Sequence, residues 1–397
     1  MTLVTPGFRS EVKETRRQRA VESLGLAEWA RNPQLDRVAR IARATFGVDF
    51  SSITVLDNDR ALYVGRGGFD IEESRRADSP CRLVIDSGDV IRAENARNDA
   101  RFDDVANMRA DDLGFYVGHP LFDGSGIVVG SLCIIAKEPR VFTEAEMETF
   151  TDLAAWAQVE LLADAEAERA RETQQALLPA APLEHGGVKV VGVCVPANSV
   201  GGDYFDYGPF GDLVHVAIGD VMGKGTAAAI IGASTRSACR AVVPTVGGGA
   251  GIGAAVDRIE QAIFADLQRT STFVTYFHAV IDPDAGQLYY VDAGTGLTLL
   301  IRADGTTEQL TGISLPLGIE IQEHETLSRP LEPGDRLVMV SDGLLDIVLD
   351  PVDWIEEVND LVRASVDGAD VLRRIAAVSR ARVPIDDVTV VVVEYRP

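Results

Sequence analysis

Two aspartates, Asp203 and Asp220, stand at the outer ends of two apolar-rich runs, residues 203–207 and 213–218, which a Gly/Pro segment separates. That arrangement reads as a β-hairpin. With Gly211 and Asp212 as a two-residue loop, Phe210 faces Leu213 and Asp203 faces Asp220. Directly opposed residues have Cβ atoms roughly 4.5–5.5 Å apart, where like charges destabilise a sheet. A cation between the carboxylates is one resolution; a solvated hairpin end with two unrelated acids is the other. Period-two alternation puts both acids on the face of Phe205, Tyr207, Val214, Val216 and Ile218. Burial there would raise one carboxyl pKa or recruit a metal. Oxygen-only donors favour a hard ion, Mg²⁺ or Mn²⁺.

The pattern recurs toward the C-terminus. Asp342 ends the apolar run 336–341, and Asp386 and Asp387 introduce the run 388–393. Charged groups seldom occupy such positions without partners. Four acids at strand ends suggest a shared cation site, and two ions about 3.5–4 Å apart would suit in-line displacement at phosphorus. No His-rich or Cys-rich ligand set competes in the sequence. After Asp220 the run VMGKG enters a helix of small and apolar residues from Thr226, and its glycines allow backbone to approach an ion or phosphate closely. Lys224 does not sit in a Walker loop. The glycine-rich residues 247–253 are expected as a flexible loop.

The elements that must position these acids follow from pattern and composition. At 397 residues the chain is expected to hold two or three domains. With 46% hydrophobic and 25% charged residues it has an ordinary globular composition. No apolar run approaches about 18 residues and no signal peptide is apparent, so a cytoplasmic chain outside the membrane is expected. A net charge of −24 argues against a nucleic-acid partner. Residues 1–25 are expected as an N-terminal arm, with Arg16, Arg17 and Arg19 in a solvated helix or disordered segment. Cys81, Cys133, Cys194 and Cys239 lack CxxC spacing and are expected as reduced thiols, Cys81 an inert one; His119 is expected to be packed or hydrogen-bonded.

From residue 33 the chain reads as a helix to Phe46, a hairpin over 51–64, a short helix opened by Ser79 and Pro80, and a second hairpin over 115–136. This order implies an antiparallel sheet with helices on one face. Thr143 and Glu146 have the form of a capping box, and neither Gly nor Pro follows until Pro179, so one long helix is expected. Its apolar stripe fades into charge after Leu162. Such a helix bridges domains or pairs with a copy of itself, which makes a homodimer through this segment a hypothesis. Beyond Val188 short strands and turns return, giving a two-layer sheet core flanked by helices.

The segments LDRVARIARATFGV, ITVLDNDRALYVGRGG, SPCRLVIDSGDVI and GHPLFDGSGIVVGSLCIIAKEPRVFTEAE resemble the GAF domains, small α/β sensor modules. The segments QALLP, VGGDYFD, IGDVMGKG, SDGLLD and DDVTVVVV resemble the stage II sporulation protein E type of metal-dependent protein phosphatase, related to the type 2C serine/threonine phosphatases. Together they imply an α+β chain: a GAF domain at 26–162, a helical linker at 163–180 that could form a coiled coil, and an α-β-β-α sandwich phosphatase domain at 181–397.

The second resemblance implies two Mn²⁺ or Mg²⁺ ions. Asp220 would bridge them, with Asp203 and the Val221 carbonyl at the first and Asp342 and Asp386, rather than Asp387, at the second. A water activated by the ions would attack phosphoserine or phosphothreonine. The substrate class it implies is a phosphorylated anti-anti-sigma factor in control of a bacterial alternative sigma factor, with an unidentified signal at the GAF domain. Thr295 and Leu297 stand where family members often have His and Pro, and Asp346 where they often have Glu; both departures bear on substrate docking more than on chemistry. The alternatives are a catalytically inactive pseudophosphatase or a GAF scaffold that acts by binding a partner.

Overall fold

The computed structural model describes residues 6–22, 24, 33–110, 112–245, 248–348, 352–382 and 385–397, in two compact units, Met1–Arg169 and Ala170–Pro397. In the first unit come α1 (Pro6–Glu22), α2 (Pro33–Phe46), β1 (Phe50–Asp57), β2 (Arg60–Gly67), β3 (Glu73–Arg75), α3 (Cys81–Ser87), β4 (Ile91–Ala93), α4 (Ala106–Ala110), β5 (Phe115–Phe122), β6 (Val128–Ala136) and most of α5 (Glu144–Leu177). The six strands form one antiparallel sheet in the order β3-β2-β1-β6-β5-β4. Leu35, Val38, Ala42 and Phe46 of α2 and Phe150, Ala157 and Leu161 of α5 share one core with Ile53, Val55, Phe115 and Leu132 of the sheet.

One expectation changes here. The segment expected as a solvated or disordered arm holds α1, whose Ala20 and Val21 join that core, and Arg17 is buried because its guanidinium donates to the Leu56 carbonyl and to Glu14. His119 donates or accepts through Nδ1 at 2.8 Å from the Pro120 carbonyl. The capping box forms: the Glu146 amide donates to Thr143 Oγ1 and the Thr143 amide to Glu146 Oε2.

The second unit contains β7 (Leu183–His185), β8 (Val188–Val195), β9 (Tyr204–Phe210), β10 (Leu213–Val221), α6 (Thr226–Val242), α7 (Ile252–Thr270), β11 (Val274–Asp282), β12 (Gln287–Ala293), β13 (Thr298–Ile301), β14 (Thr307–Leu310), β15 (Leu327–Pro330), β16 (Arg336–Val340), α8 (Trp354–Arg363), α9 (Gly368–Ala381) and β17 (Val388–Tyr395). Two antiparallel sheets result, β15-β12-β11-β10-β9 and β14-β13-β16-β17-β8-β7. The β9–β10 register pairs Phe210 with Leu213 and Tyr204 with Gly219, the register the two-residue loop requires.

Alternation along the strands builds the layers. Phe205, Val216 and Ile218 pack with Leu337, Met339, Val391 and Val393 between the sheets. The opposite face of β10, Ala217 and Val221, packs on Val256, Ile259 and Ile263 of α7. Val388, Val390 and Val392 point the other way from β17, against Val358, Val371 and Ile375 of α8 and α9. A strand buried on both faces needs the unbroken valine run that the sequence shows. The glycine-rich stretch is not a free loop over its described part: residues 249–251 make one 3₁₀ turn into α7, and a Cβ on Gly249 would lie 2.2 Å from the Tyr289 ring. Gly249 and Gly253 serve close packing, the latter against the His324 carbonyl.

One ion pair ties α6 to its sheet. Asp206, fully buried, accepts from Arg236 and lies 3.0 Å from each of Arg236 and Arg240. Removing one partner of a buried pair costs about 3–5 kcal/mol because a charge is left unpaired. Arg236→Ala is expected near the lower end, about 3 kcal/mol, since Arg240 still reaches the carboxylate; a lowered urea midpoint for this unit is the readout.

Candidate metal centre

The carboxylates arrive from both sheets. Asp203 immediately precedes β9, Asp220 is the penultimate residue of β10, Asp342 follows β16 by two residues, and Asp386 precedes β17. Asp203 is 1% exposed, and its Oδ2 has no hydrogen-bond partner. Burial, and then the charge of Asp220, push its carboxyl well above the ordinary range. Burial raises Asp220 to about 6, with Asp342 and Asp386 as the next causes. Asp342 is raised by burial and then by Asp386. Asp220 is therefore within electrostatic reach of the other three, and through it the four form one cluster.

A buried, unpartnered carboxylate oxygen beside three more acids is expensive unless a cation joins it. The donors are all oxygen, which fits a hard divalent ion. A cavity of about 240 Å³ opens beside them, lined by Asp220, Thr275, Thr295, Leu297, Ser341 and Asp342.

The neighbouring aspartates at 386 and 387 take different roles. Asp387 is 5% exposed and accepts from the Ala197 and Gly202 amides at 2.8 and 2.7 Å. Its own carbonyl accepts from Ser341 Oγ at 3.0 Å. Asp387 thus fixes the backbone leading to Asp203, whereas Asp386 faces the acid cluster. The approach is so close that a Cβ on Gly201 would lie 2.0 Å from Asp387, and one on Gly202 2.7 Å from the Val221 carbonyl.

Several participants are not evident from motif reading. Asp346 Oδ2 accepts from the amides of Ile385 and Asp386, both at 3.1 Å, so it orients the Asp386 loop. Lys224 donates to the Ile385 carbonyl at 2.7 Å and lies 3.1 Å from Asp386 Oδ2, a cation already among the acids. Thr295, in place of a histidine, lines the cavity while its hydroxyl donates to Asp292 at 2.6 Å. Gln174, in α5, donates to the Gly201 carbonyl at 2.7 Å and accepts from the Gly201 amide at 3.1 Å, two residues from Asp203. Gln174 immediately precedes the segment QALLP, and Lys224 and Asp346 lie within IGDVMGKG and SDGLLD, but those motifs do not state these contacts.

A histidine and cysteine group that no spacing in the sequence marks does come together in the fold. His215, Cys239 and His278, buried behind the five-stranded sheet, bring ligand atoms within 4.8 Å of one another. They come from β10, α6 and β11, so only the tertiary fold gathers them. Tyr276 Oη lies 2.9 Å from His278 Nδ1 and also bonds toward Cys239. Burial, then Arg240 and Arg236, hold His215 down at about 4. This is a neutral polar network in the core, apart from the acid cluster.

Comparison with known proteins gives two family matches, stage II sporulation protein E (SpoIIE) over residues 211–396 and GAF domain over residues 31–161. Asp203 precedes the first range. The chain is 29% identical over 183 residues to the phosphoserine phosphatase RsbU of Bacillus subtilis, covering 46% of this chain and 53% of that protein. It is 32% identical over 139 residues to a cyclic di-GMP phosphodiesterase of Pseudomonas aeruginosa, covering 35% of this chain and 23% of that one. The chain thus spans about half or less of these curated relatives. The solved SiaA-PP2C domain of Pseudomonas aeruginosa matches with a TM-score of 0.50 at 20% identity, over 64% of this chain and all of that one, which shows the fold. The chain thus carries a region that matches the GAF domain ahead of a region that matches stage II sporulation protein E.

Proposed function

We propose that this chain is a metal-dependent protein serine/threonine phosphatase regulated through its GAF domain. The observation that carries the reading is the cluster of Asp203, Asp220, Asp342 and Asp386 around an unpartnered buried oxygen. Asp220 would bridge two Mn²⁺ or Mg²⁺ ions, with Asp203 and the Val221 carbonyl on one side and Asp342 and Asp386 on the other. Two such ions activate a water and neutralise charge at phosphorus. The chain's own part is to hold the acids: Asp387 anchors the Asp203 segment, Asp346 anchors the Asp386 loop, and Thr295 and Leu297 shape the cavity in which a phosphoryl group would sit.

The similarity to a phosphoserine phosphatase supports a phosphoprotein substrate. The family resemblance makes a phosphorylated anti-anti-sigma factor the leading candidate, acting in sigma-factor control in the cytoplasm. Among the described residues no helix is long and apolar enough to cross a membrane. Control would run through α5, because Gln174 clamps Gly201 beside Asp203. A homodimer through α5 is supported by the exposure of Trp156 and Val159 on that helix. The rival reading is a pseudophosphatase that binds its partner without turnover. The ion pair between Lys224 and Asp386 favours it, since one carboxylate already has a cation.

Mn²⁺-dependent release of phosphate from a phosphoserine peptide separates the two. Asp220→Asn is expected to remove several kcal/mol of transition-state stabilisation, on the order of a hundredfold or more in rate. Mn²⁺ at about a hundred times its Kd should stabilise the wild type by about 2.7 kcal/mol and the variant far less, read as a Tm shift. A Tm shift without turnover in the wild type would select the pseudophosphatase.

Gln174→Ala is expected to raise the Mn²⁺ concentration for half-maximal activity by roughly 10–100-fold, the usual effect of losing a group that orients a ligand. Unchanged metal dependence would remove Gln174 from the control route. For the dimer, sedimentation of the full chain should show two copies, and Trp156→Glu with Val159→Glu should yield a monomer.

A further inference from the structure

In the first unit, Cys81 opens α3 and Cys133 lies in β6 opposite Ser52 of β1. Their sulfur atoms are 3.1 Å apart, roughly 1 Å beyond the ~2.05 Å of a disulfide bond. Both residues are buried. An inert buried thiol is packed by apolar groups, yet these two face hydroxyls. Thr54 Oγ1 lies 3.2 Å from Cys81 Sγ, and Tyr116 Oη and Ser131 Oγ lie 2.9 and 3.3 Å from Cys133 Sγ.

The hydroxyls divide the pair. Burial pushes the Cys81 thiol up, but hydrogen bonds from Cys133, Thr54, Ser79 and Ser131 outweigh it and hold Cys81 down at about 6. Burial, then the bond to Cys81 and its charge, keep Cys133 well above the ordinary thiol range. The two thiols are therefore unequal, with Cys81 the more acidic and the better nucleophile. The other two thiols differ. Burial raises Cys194 and takes Cys239 to about 12, so both stay protonated.

A cavity of about 160 Å³ opens on Cys81, lined also by Ser52, Tyr63, Phe69, Pro80 and Asn107. One water needs only ~10–15 Å³ of such space, so a small hydroperoxide fits. The sequence reading of Cys81 as inert could not include this partner, which is 52 residues away.

We propose that Cys81 and Cys133 form a peroxide-oxidisable pair, in which Cys81 attacks a hydroperoxide held in the cavity and Cys133 resolves the product as a disulfide. Cys81 Sγ attacks one peroxide oxygen; the O–O bond breaks, a sulfenic acid forms on Cys81, and the remaining oxygen leaves as an alcohol, or as water from hydrogen peroxide, after taking a proton. Cys133 Sγ then attacks Cys81 Sγ. The S–S bond forms, and the sulfenic hydroxyl departs with the Cys133 proton as water. Two thiols and one hydroperoxide give one disulfide, one alcohol and one water, the two electrons passing from sulfur to the O–O bond.

The test uses the full chain, reduced and freed of reductant, exposed to stoichiometric hydrogen peroxide, then alkylated under denaturing conditions and weighed intact. The expected result is loss of two of the four alkylatable thiols, restored by dithiothreitol, with a peptide linking Cys81 to Cys133 after proteolysis. Cys133→Ser should instead leave a sulfenic acid on Cys81 that dimedone labels, and circular dichroism checks that the variant is folded. Four alkylated thiols after peroxide, or a linked peptide containing Cys194 or Cys239, would overturn the proposal. The wild-type measurement decides this with no variant at all.

Discussion

Carboxylates held together where strands end are the constraint on which the second unit depends. Desolvation and mutual repulsion both favour the protonated forms of Asp203, Asp220 and Asp342, so the fold works against its own site until positive charge arrives. Such a cluster persists only if the surrounding backbone cannot relax. Its two supports are the apolar layer between the sheets and the side-chain anchors at the sheet edge. Met339 and Val391 lie in that layer beside Val216 and Ile218, so the strands carrying Asp220, Asp342 and Asp386 are locked to one another. Close packing leaves no room to splay the acids apart.

The anchors follow the same logic. Asp387 commits its carboxylate to two backbone amides, although its charge is still felt by Asp203 and Asp220; Asp346 likewise binds two amides of the Asp386 loop. A negative charge satisfied by amides is stable without metal, whereas one that faces other acids is not. Two chemically identical side chains at 386 and 387 are thereby separated into an anchor and a member of the cluster. Lys224 marks the boundary, since it supplies positive charge to Asp386 and reaches neither oxygen of Asp203 in any hydrogen bond or ion pair among the described residues.

How much of this was legible depends on the range of the contact. The register of β9 and β10 could be read because a two-residue loop fixes it locally, and Tyr204 does pair with Gly219 as that loop demands. The strand-end acids could be read from apolar runs interrupted by charge. Asp346, Lys224 and Gln174 could not be assigned roles from their surroundings in sequence, because each acts on backbone 27 to 161 residues away. Short polar strands such as β14 and β15 also escape pattern reading; they are sheet edges whose pairing, rather than alternation, makes them strands. The polar arm was misread for a related reason. A helix with three arginines looks solvated until the Leu56 carbonyl and Glu14 are known to receive one of them.

The same asymmetry bears on how the unit could be controlled. The cluster's most buried member, Asp203, sits on the least regular backbone, a segment between β8 and β9 held by Asp387 on one side and Gln174 on the other. Asp220 lies within a core strand and Asp342 opens a 3₁₀ turn directly after another, so moving Asp220 means disturbing a sheet. Asp203 can be moved by breaking hydrogen bonds worth about 1 kcal/mol each, or somewhat more where the acceptor is charged. Gln174 belongs to α5, which begins in the first unit. A small displacement of that helix end would therefore act on Asp203, which, like Asp386, is positioned by hydrogen bonds to its loop.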